Sequence, residues 1–532
     1  MPVLTFDEFG GGLDVRPAFA LSRANILRVL TNAYVTTGKS IKKRPCLEKI
    51  ATLEAGTVGL KSFAGKLNTF YGAGAAIAHA DTRFVARRVP HITTGVAPTK
   101  IHYADQYNAL LYVAAEYGDG TFRHHYLDDP GAWANATNYT LSTYRRPTVA
   151  NGFRYKVTAV AGTGTSGGVE PVWPTTIGAA VIDNAGVNQL TWTCHGFDVE
   201  DVNCPHTKQV AKQAQKMYAV GVDATTVRYC KTGNPRDWTT ASDAGFIAAG
   251  LYARGSDQVT AINLFGKSSL AVFFSDNAQL WAADPAPANI LLTSNIEGIG
   301  TVYARAAGPV SQDLFFKAQT GFRSMSLVVI TNNLQDNDVG SAIDALVNAQ
   351  ILSTDDPLSL YYPKLGQFWC INGSTVWAYS FSRTSKLSAW SKFTLPFTIN
   401  DACVLNQELY VRTGDDVYKV SDAVYKDGVS SIPLVDIQMY AQDARSPGVL
   451  KQFMAMDVIG TGKWTISQQW YDPEIAAWRE TDSYEYPAIT EPGNLHPVEL
   501  LATRIAPHIQ HQKDEAFEIS ALSLLYEKLG PV

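Results

Sequence analysis

Several features that would quickly assign a protein to a functional class are missing from this sequence of 532 residues. Its six cysteines form neither CxxC pairs nor a dense disulfide scaffold, so we expect reduced thiols. They stand at positions 46, 194, 204, 230, 370 and 403. No apolar run reaches the roughly 18 residues of a membrane span, and the opening MPVLTFDEFGGG lacks the basic and apolar regions of a signal peptide. We therefore expect no membrane span and synthesis in the cytoplasm.

An excess of positive charge is also missing. The formal net charge is −5 at pH 7 and the isoelectric point is about 6.1, and the lysines and arginines do not cluster. Proteins that hold nucleic acid through phosphate contacts carry a dense basic face. The sequence therefore argues against tight nucleic-acid binding. Its hydrophobic content of 46% is enough for a large core, and its length predicts more than one domain.

The common catalytic motifs GxSxG, HExxH and the P-loop do not occur. Residues 162–167 have the form GxGxxG, but a dinucleotide site needs a helix that starts immediately afterwards. Pro171 and Pro174 exclude that helix. We expect no catalytic, cofactor-binding or metal-binding residues, and we do not expect an enzyme.

Four soft metal ligands do lie close together in the sequence, namely Cys194, His195, Cys204 and His206. Zinc is conceivable at such a set. However, Cys194 ends a predicted strand, and neighbouring side chains of a strand point to opposite faces, so Cys194 and His195 should not share a metal. The pair at positions 124 and 125 is interpreted as part of a strand with one face exposed.

A loose repeat organises the middle of the chain. A short apolar strand, a polar turn and a second strand precede Trp133, Trp238 and Trp390. Such units are typical of propeller blades, with the aromatic side chain buried between strands. The sequence predicts a mainly β protein, with a β-propeller built from residues 51–144 and 198–428.

The remaining boundaries follow from changes in pattern. Residues 1–50 are interpreted as an N-terminal arm, in which the apolar periodicity of residues 24–34 favours one short helix. Residues 145–197 are predicted to be an inserted small β-module. Residues 429–532 are predicted to be a C-terminal β-domain, because their strands are longer and rich in tryptophan.

Residues 295–330 are predicted to form two strand pairs. Alternation predicts strands at 302–306 and 322–329, on either side of an apolar strand that follows Asp313. The next stretch, residues 333–352, is predicted to be a long helix. Its cap candidates are Asp336 and Asp338, and its apolar face holds Ile343, Leu346, Val347 and Ile351. Asp336-x-Asp338-x-Gly340 resembles half of a calcium loop, but the twelfth position is Val347, not the required glutamate.

These stretches carry a family resemblance. The runs at 299–302, 313–316 and 321–324, IGTV, DLFF and GFRS, resemble an ordered pattern in phage tail-tube propeller proteins, the tail hub or nozzle and packaged-DNA stabilisation family. Gly11-Gly12-Leu13, Asn32 and Lys43-Arg44-Pro45 resemble the opening of that family, although Cys46 stands where its glycine is usual. The insertion resembles a small all-β module that recurs in phage tail proteins, through Glu170, Pro171, Trp173, Pro174, Ile177, Gly178 and Trp192.

The resemblance implies a structural virion protein, a tail nozzle or hub in the DNA-conducting channel below the portal and adaptor, which helps to retain and eject packaged DNA. It implies a ring of six copies that contacts an adaptor ring and tail fibres or tailspikes, and lets duplex DNA pass without tight binding. The protein would be located in the virion tail, after its synthesis in the host cell cytoplasm. Helices inserted between blades pack against neighbouring subunits in that family, which implies an interface role for residues 333–352. The alternative is a peripheral tail protein that binds or cleaves host glycans, for which a cleft with paired carboxylates is needed.

Overall fold

The computed structural model describes residues 2–20, 24–73, 77–255, 257–331, 339–472, 475, 477–487 and 489–531. Strands dominate this part of the chain, which confirms the predicted mainly β class. The helices are short: Met325–Thr331 and Asp344–Gln350, with 3-10 turns at Ala249–Tyr252, Pro287–Asn289 and Pro363–Leu365. Among the described residues, no helix is long and apolar enough to cross a membrane.

Seven small sheets, numbered here in chain order, occupy residues 46–421. The first three are Val58–Phe63, Lys66–Tyr71 and Phe84–Arg88; Pro98–Tyr107, Leu110–Tyr117 and Phe122–Leu127; and Val210–Gln213, Lys216–Val220, Val227–Tyr229 and Gly245–Ile247. The fourth and fifth are Ala261–Phe265, Ser269–Phe273, Asn277–Ala282 and Leu292–Glu297; and Ala307–Val310, Asp313–Ala318 and Gly321–Ser324. The sixth and seventh are Leu358–Tyr362, Gln367–Asn372, Thr375–Ser382 and Leu387–Thr394; and Asp401–Leu405, Glu408–Thr413, Asp416–Ser421 and Cys46–Thr52.

The first strands of these sheets follow one another in a cyclic order. The first strand of the first sheet contacts that of the second, the first strands of the third to seventh sheets contact one another in order, and that of the seventh contacts that of the first. The second and third sheets are joined by an ion pair of 2.8 Å between Lys212 Nζ and Asp105. The seventh and first are joined by one of 2.9 Å between Lys61 Nζ and Asp401. Cys46–Thr52, from the N-terminal part, forms the far edge of the seventh sheet.

The predicted burial of two tryptophans is confirmed, and a third has a different place. Trp238 and Trp390 are only 3% and 2% exposed. Trp133 belongs to the core of the insertion, where its Nε1 donates to Asp183 Oδ2 at 2.8 Å. The inclusion of Trp133 in the blade repeat was therefore wrong, because its polar tip has its partner in the inserted sheet.

The insertion forms a sheet of its own. Its strands, in spatial order, are Tyr144–Arg145, Arg154–Val160, Leu190–His195 and Ala180–Asp183. The chain then returns to the second sheet: the Tyr126 N–H donates to the Phe197 carbonyl at 2.9 Å, and the Val199 N–H donates to the His124 carbonyl at 2.8 Å. Residues 162–167 lie in a loop that no helix follows, as expected.

Both ends of the chain contribute to two larger sheets. One contains Val3–Phe6, Ala33–Val35, Ile41–Lys43, Val449–Thr461, Ile489–Thr490, His496–Ala502 and Glu518–Pro531. The other continues the sixth sheet through Gly12–Leu13, Ile26–Thr31, Val435–Met439, Ile505–His511, Trp464–Asp472, Ala477–Glu480 and Tyr484–Tyr486. The N-terminal strands are therefore integral to the sheets of the C-terminal part.

Three local predictions were wrong. The periodicity at 24–34 indicated a helix, but the chain forms the strand Ile26–Thr31, because it pairs with Gly12–Leu13 and Val435–Met439 on its two sides. No strand covers residues 302–306. The strand predicted at 322–329 ends at Ser324, because the side chain of Asp313 accepts the Ser326 N–H at 2.9 Å and starts the helix Met325–Thr331.

The long helix predicted at 333–352 is present only as Asp344–Gln350 within the described residues, and the cap candidates at 336 and 338 lie outside them. Ile343, Val347 and Ile351 do share one face, as predicted. All three are buried in the largest core of this same chain. This face is therefore covered within the chain itself, and the interface role expected for residues 333–352 stays a prediction.

Candidate functional site

A small cavity of about 200 Å³ lies between the first strands of the second to sixth sheets. Its lining includes His102, Asp105, Lys212, Asn263 and Arg305. Pockets for small organic ligands usually measure about 300–1,000 Å³. This cavity is too small for such a ligand and far too small for a nucleic-acid duplex.

Most of the charged groups around this cavity are paired with one another. Asp356 accepts from Arg305 Nη2 at 2.9 Å and also forms an ion pair with Lys100. Lys100 belongs to the second sheet, whereas Asp356 immediately precedes the sixth, so the three groups span the space between the first strands. His102 Nε2 lies 2.6 Å from Glu116 Oε2, and burial lowers the pKa of His102 to about 4. Lys208 also lines the cavity and, among the described residues, has no acidic partner.

The four ligands considered from the sequence are not brought together. Cys194 is buried in the core of the inserted sheet, whereas Cys204 belongs to a core shared by the second and third sheets. His195 is half-buried on the opposite face to Cys194, with Nδ1 3.1 Å from Glu200 Oε1. The argument that Cys194 and His195 face opposite ways is confirmed. All six cysteines are free and buried, as expected.

The expectation that the histidine pair at 124 and 125 has one exposed face was wrong. Both side chains are fully buried. The chain that leaves the insertion covers one side, since Asp198 Oδ1 lies 3.2 Å from His125 Nδ1. Burial lowers the pKa of His125 well below its usual value and raises the pKa of Asp198 to about 7. These groups are enclosed, and a substrate would have no access to them.

The structure instead groups His124 with Cys204 and His206. One ligand atom from each lies within 4.8 Å of the others. Sequence reasoning missed this cluster because His124 is 80 residues before Cys204. The Cys204-x-His206 spacing was the only signal of it. The cluster fastens the chain that follows the insertion to the outer strand of the second sheet.

A second polar cluster joins the N-terminal part to two other segments. We call it the Asn32–Arg44 network, and its members are Asn32, Arg44, Thr394 and Asp427. Arg44 Nε donates to Asn32 Oδ1 at 3.0 Å, and Arg44 Nη2 donates to Asp427 Oδ2 at 2.5 Å. Asn32 Nδ2 also donates to Thr394 Oγ1 at 2.8 Å. Arg44 and Asp427 are almost completely buried, so this network is structural.

Comparison with known proteins gives no family. No protein-family model matches the sequence, and no curated protein matches it. The chain is similar to the WD40 domain of Pan2 from Neurospora crassa, with a TM-score of 0.29 and 6% identity over 60% of this chain and 88% of that one. It is also similar to core factor from S. cerevisiae, with a TM-score of 0.27 and 8% identity over 60% of this chain and 56% of that one. Likeness at this level carries no inference about this protein.

Proposed function

We propose that this chain is a structural protein of a phage tail, a nozzle or hub in the channel through which packaged DNA leaves. The observation that carries the proposal is the contact between Asn32 and Arg44. Both belong to the opening pattern that resembles the tail-tube propeller family, and they meet in one buried network. Because these residues of the pattern are buried and in contact, the fold gives a structural reason for both residues to occur in this order in the sequence.

The runs at 299–302 and 321–324, which also carry the resemblance, have a similar physical basis. A side chain at Gly300 would overlap the carbonyl oxygen of Phe274, and one at Gly321 would overlap the carboxylate of Asp344. That carboxylate accepts from Arg323 Nη1 at 2.8 Å, and Arg323 is only 9% exposed. The matched glycines and arginine are therefore required where they stand. They support a common fold, whereas the step from fold to function rests on analogy.

We infer that the seven small sheets are the blades of a seven-bladed β-propeller. The cyclic order of their first strands supports this. So does the pairing of Cys46–Thr52 with the last blade, since an N-terminal strand in the final blade closes the circle. The two larger sheets form a β-domain beside the sixth blade, and the inserted sheet projects from the second.

We further infer that the DNA channel lies between copies of the chain. The cavity of about 200 Å³ within one chain is too small for a duplex, and Arg305 of its lining is paired with Asp356. A ring of identical chains, six by the resemblance, would enclose a wider passage. It would multiply the charge of −5 per chain by the copy number, which favours a wall that does not retain phosphate. The adaptor ring and tail fibres are the proposed neighbours.

Imaging of intact virions that contain this chain tests the proposal. We expect a closed ring of six copies on the tail axis, directly below the adaptor. A single copy at the periphery of the tail would contradict the proposal and would favour the glycan-binding alternative.

A further inference from the structure

We propose that His124, Cys204 and His206 bind a zinc ion between the second and third sheets. His124 Nδ1 and Cys204 Sγ lie 3.4 Å apart. Zinc in a tetrahedral site takes nitrogen at about 2.0–2.1 Å and sulfur at about 2.3 Å, which puts the two ligand atoms roughly 3.6 Å apart. The pair therefore already has the separation that zinc requires. Imidazole nitrogen and thiolate sulfur are also the ligands that zinc prefers over magnesium and calcium.

The hydrogen bonds of His124 orient it as a ligand. Its Nε2 lies 2.7 Å from the backbone carbonyl of Thr207, which accepts and cannot donate. Nε2 therefore carries the hydrogen, and the lone pair of Nδ1 points toward Cys204. Zinc-bound histidines usually have their second nitrogen held by a carbonyl or carboxylate in this way. Without the metal, this lone pair accepts from the hydroxyl of Tyr112, whose oxygen is 2.9 Å away.

The second half of the site is a tight turn. His206 has a φ of 46°, in the left-handed region that a non-glycine residue rarely adopts. This conformation brings its ring to 5.5 Å from the ring of His124, measured between centroids. His206 Nδ1 accepts the backbone N–H of His124 at 3.2 Å, so Nδ1 is the unprotonated nitrogen and the candidate ligand. Zinc at this nitrogen would replace the His124 N–H as the partner of its lone pair.

Access and coordination number are consistent with a bound ion. His124 and Cys204 are buried, whereas His206 is half-buried and leaves a route for the ion. Three protein ligands leave the fourth position for water or for the nearby Tyr112 hydroxyl. The ion would cross-link the segment that follows the insertion to the strand Phe122–Leu127. Because the unfolded chain lacks this arrangement, binding would stabilise the native fold.

The first test is the zinc content of the full chain, purified in the presence of zinc and then dialysed. We expect about one zinc per chain. Cys204→Ser and His124→Gln should each reduce the content at least tenfold. Cys403→Ser is the matched control, since Cys403 is also a buried free thiol but lies in the seventh sheet, and it should retain the zinc. Zinc retained by folded Cys204→Ser and His124→Gln would overturn the proposal.

A second test uses only the unaltered chain, because either variant could fail to fold. After chelation, the chain is reloaded with cobalt(II). We expect a near-ultraviolet thiolate-to-cobalt charge-transfer band at a stoichiometry of one, and a melting temperature that falls on chelation and recovers with zinc. A chain that binds no zinc, gives no thiolate band and melts at the same temperature with and without chelator would overturn the proposal.

Discussion

Arg44 and Asp427, which are 383 residues apart in the sequence, form a buried ion pair. Arg44 Nη2 lies 2.5 Å from Asp427 Oδ2, and both side chains are 1% exposed. Arg44 Nη1 donates to Asp427 Oδ1 at 3.0 Å, so the contact is bidentate. The Leu47 N–H donates to the same Oδ1 at 3.0 Å. This pair therefore holds the start of the strand Cys46–Thr52 against the segment that follows its neighbour in the seventh sheet, the strand Asp416–Ser421.

Arg44→Ala should therefore be strongly destabilising. Removal of one partner leaves the Asp427 carboxylate buried without its cation, a change that typically costs about 3–5 kcal/mol. Urea denaturation measures the loss. The matched control is Lys513→Ala, because the pair of Lys513 and Glu485 is 3.6 Å apart with both side chains 52% exposed. We expect a change below about 1 kcal/mol there. Equal effects of the two substitutions would contradict the structural role of the network.

Trp390→Ala should lower stability by about 3–5 kcal/mol, because a large buried side chain is removed. The indole stacks on Phe322 with ring centroids 4.8 Å apart, and its Nε1 donates to the Val339 carbonyl at 2.5 Å. Thermal unfolding is the measurement. Trp478, which is 36% exposed, provides the control, and Trp478→Ala should have a clearly smaller effect. If both variants melted like the unaltered chain, the assignment of Trp390 to a packed core would fail.

The inserted sheet should be dispensable for folding of the rest. It has its own core, and surface insertions with neighbouring ends can usually be removed. The structure sets the limits: residues 131–196 can be replaced by a Gly-Ser linker, but Phe197 must stay because its carbonyl accepts the Tyr126 N–H. We expect a soluble, cooperatively unfolding product. The control is the full chain with the same linker inserted and nothing deleted. If this control is soluble and the shortened chain is not, the inserted sheet is needed for folding.

His102 should make stability depend on pH. Its pKa is lowered from 6.5 to about 4, mainly by burial and also by Lys100 and Arg305, while Glu116 opposes the shift. The pKa of His102 is lower in the folded chain than in the unfolded chain. The contribution of His102 to the free energy of unfolding is therefore fully present above pH 6.5 and is lost as the pH falls toward 4. Between pH 7 and pH 5 the loss is about 2 kcal/mol. Urea titrations at both pH values should show a smaller difference for His102→Gln than for the unaltered chain. Identical differences would contradict the prediction.

Duplex DNA should bind only weakly to the isolated chain. Two of the three lysines and arginines that line the cavity, Lys212 and Arg305, are paired with Asp105 and Asp356, and the net charge is negative. Each phosphate contact would add a salt-dependent contribution to affinity. Electrophoretic mobility shifts at near-physiological salt should show no complex at micromolar protein. Tight binding that weakens steeply with added salt would refute a passive channel wall.

Local pattern predicted single strands but not their partners. The apolar strand expected after Asp313 is present as Asp313–Ala318, with a turn on either side of it, so local pattern was sufficient there. The segment around Ile26–Thr31 was misinterpreted because one of its two partner strands, Val435–Met439, lies more than 400 residues away, which no local pattern encodes. The helix Met325–Thr331 was missed because the side chain that caps it, Asp313, lies on another strand.

The candidate sites were predicted less well, for a related reason. Cys204 and His206 were recognised as possible ligands, but their partner His124 lies 80 residues before Cys204, on the strand Phe122–Leu127. In the Asn32–Arg44 network, the resemblance marked Asn32 and Arg44, whereas nothing in the sequence marked Thr394 or Asp427. Groups that meet through tertiary packing can be identified only after the fold places them together.

Imaging of the virion tail is the most direct test of the proposed channel role. The account predicts density for this chain as a closed ring of six copies on the tail axis, with the passage between chains and not through the cavity of any one of them. A chain located at the side of the tail as a single copy, with its surface turned to the host cell, would contradict the account.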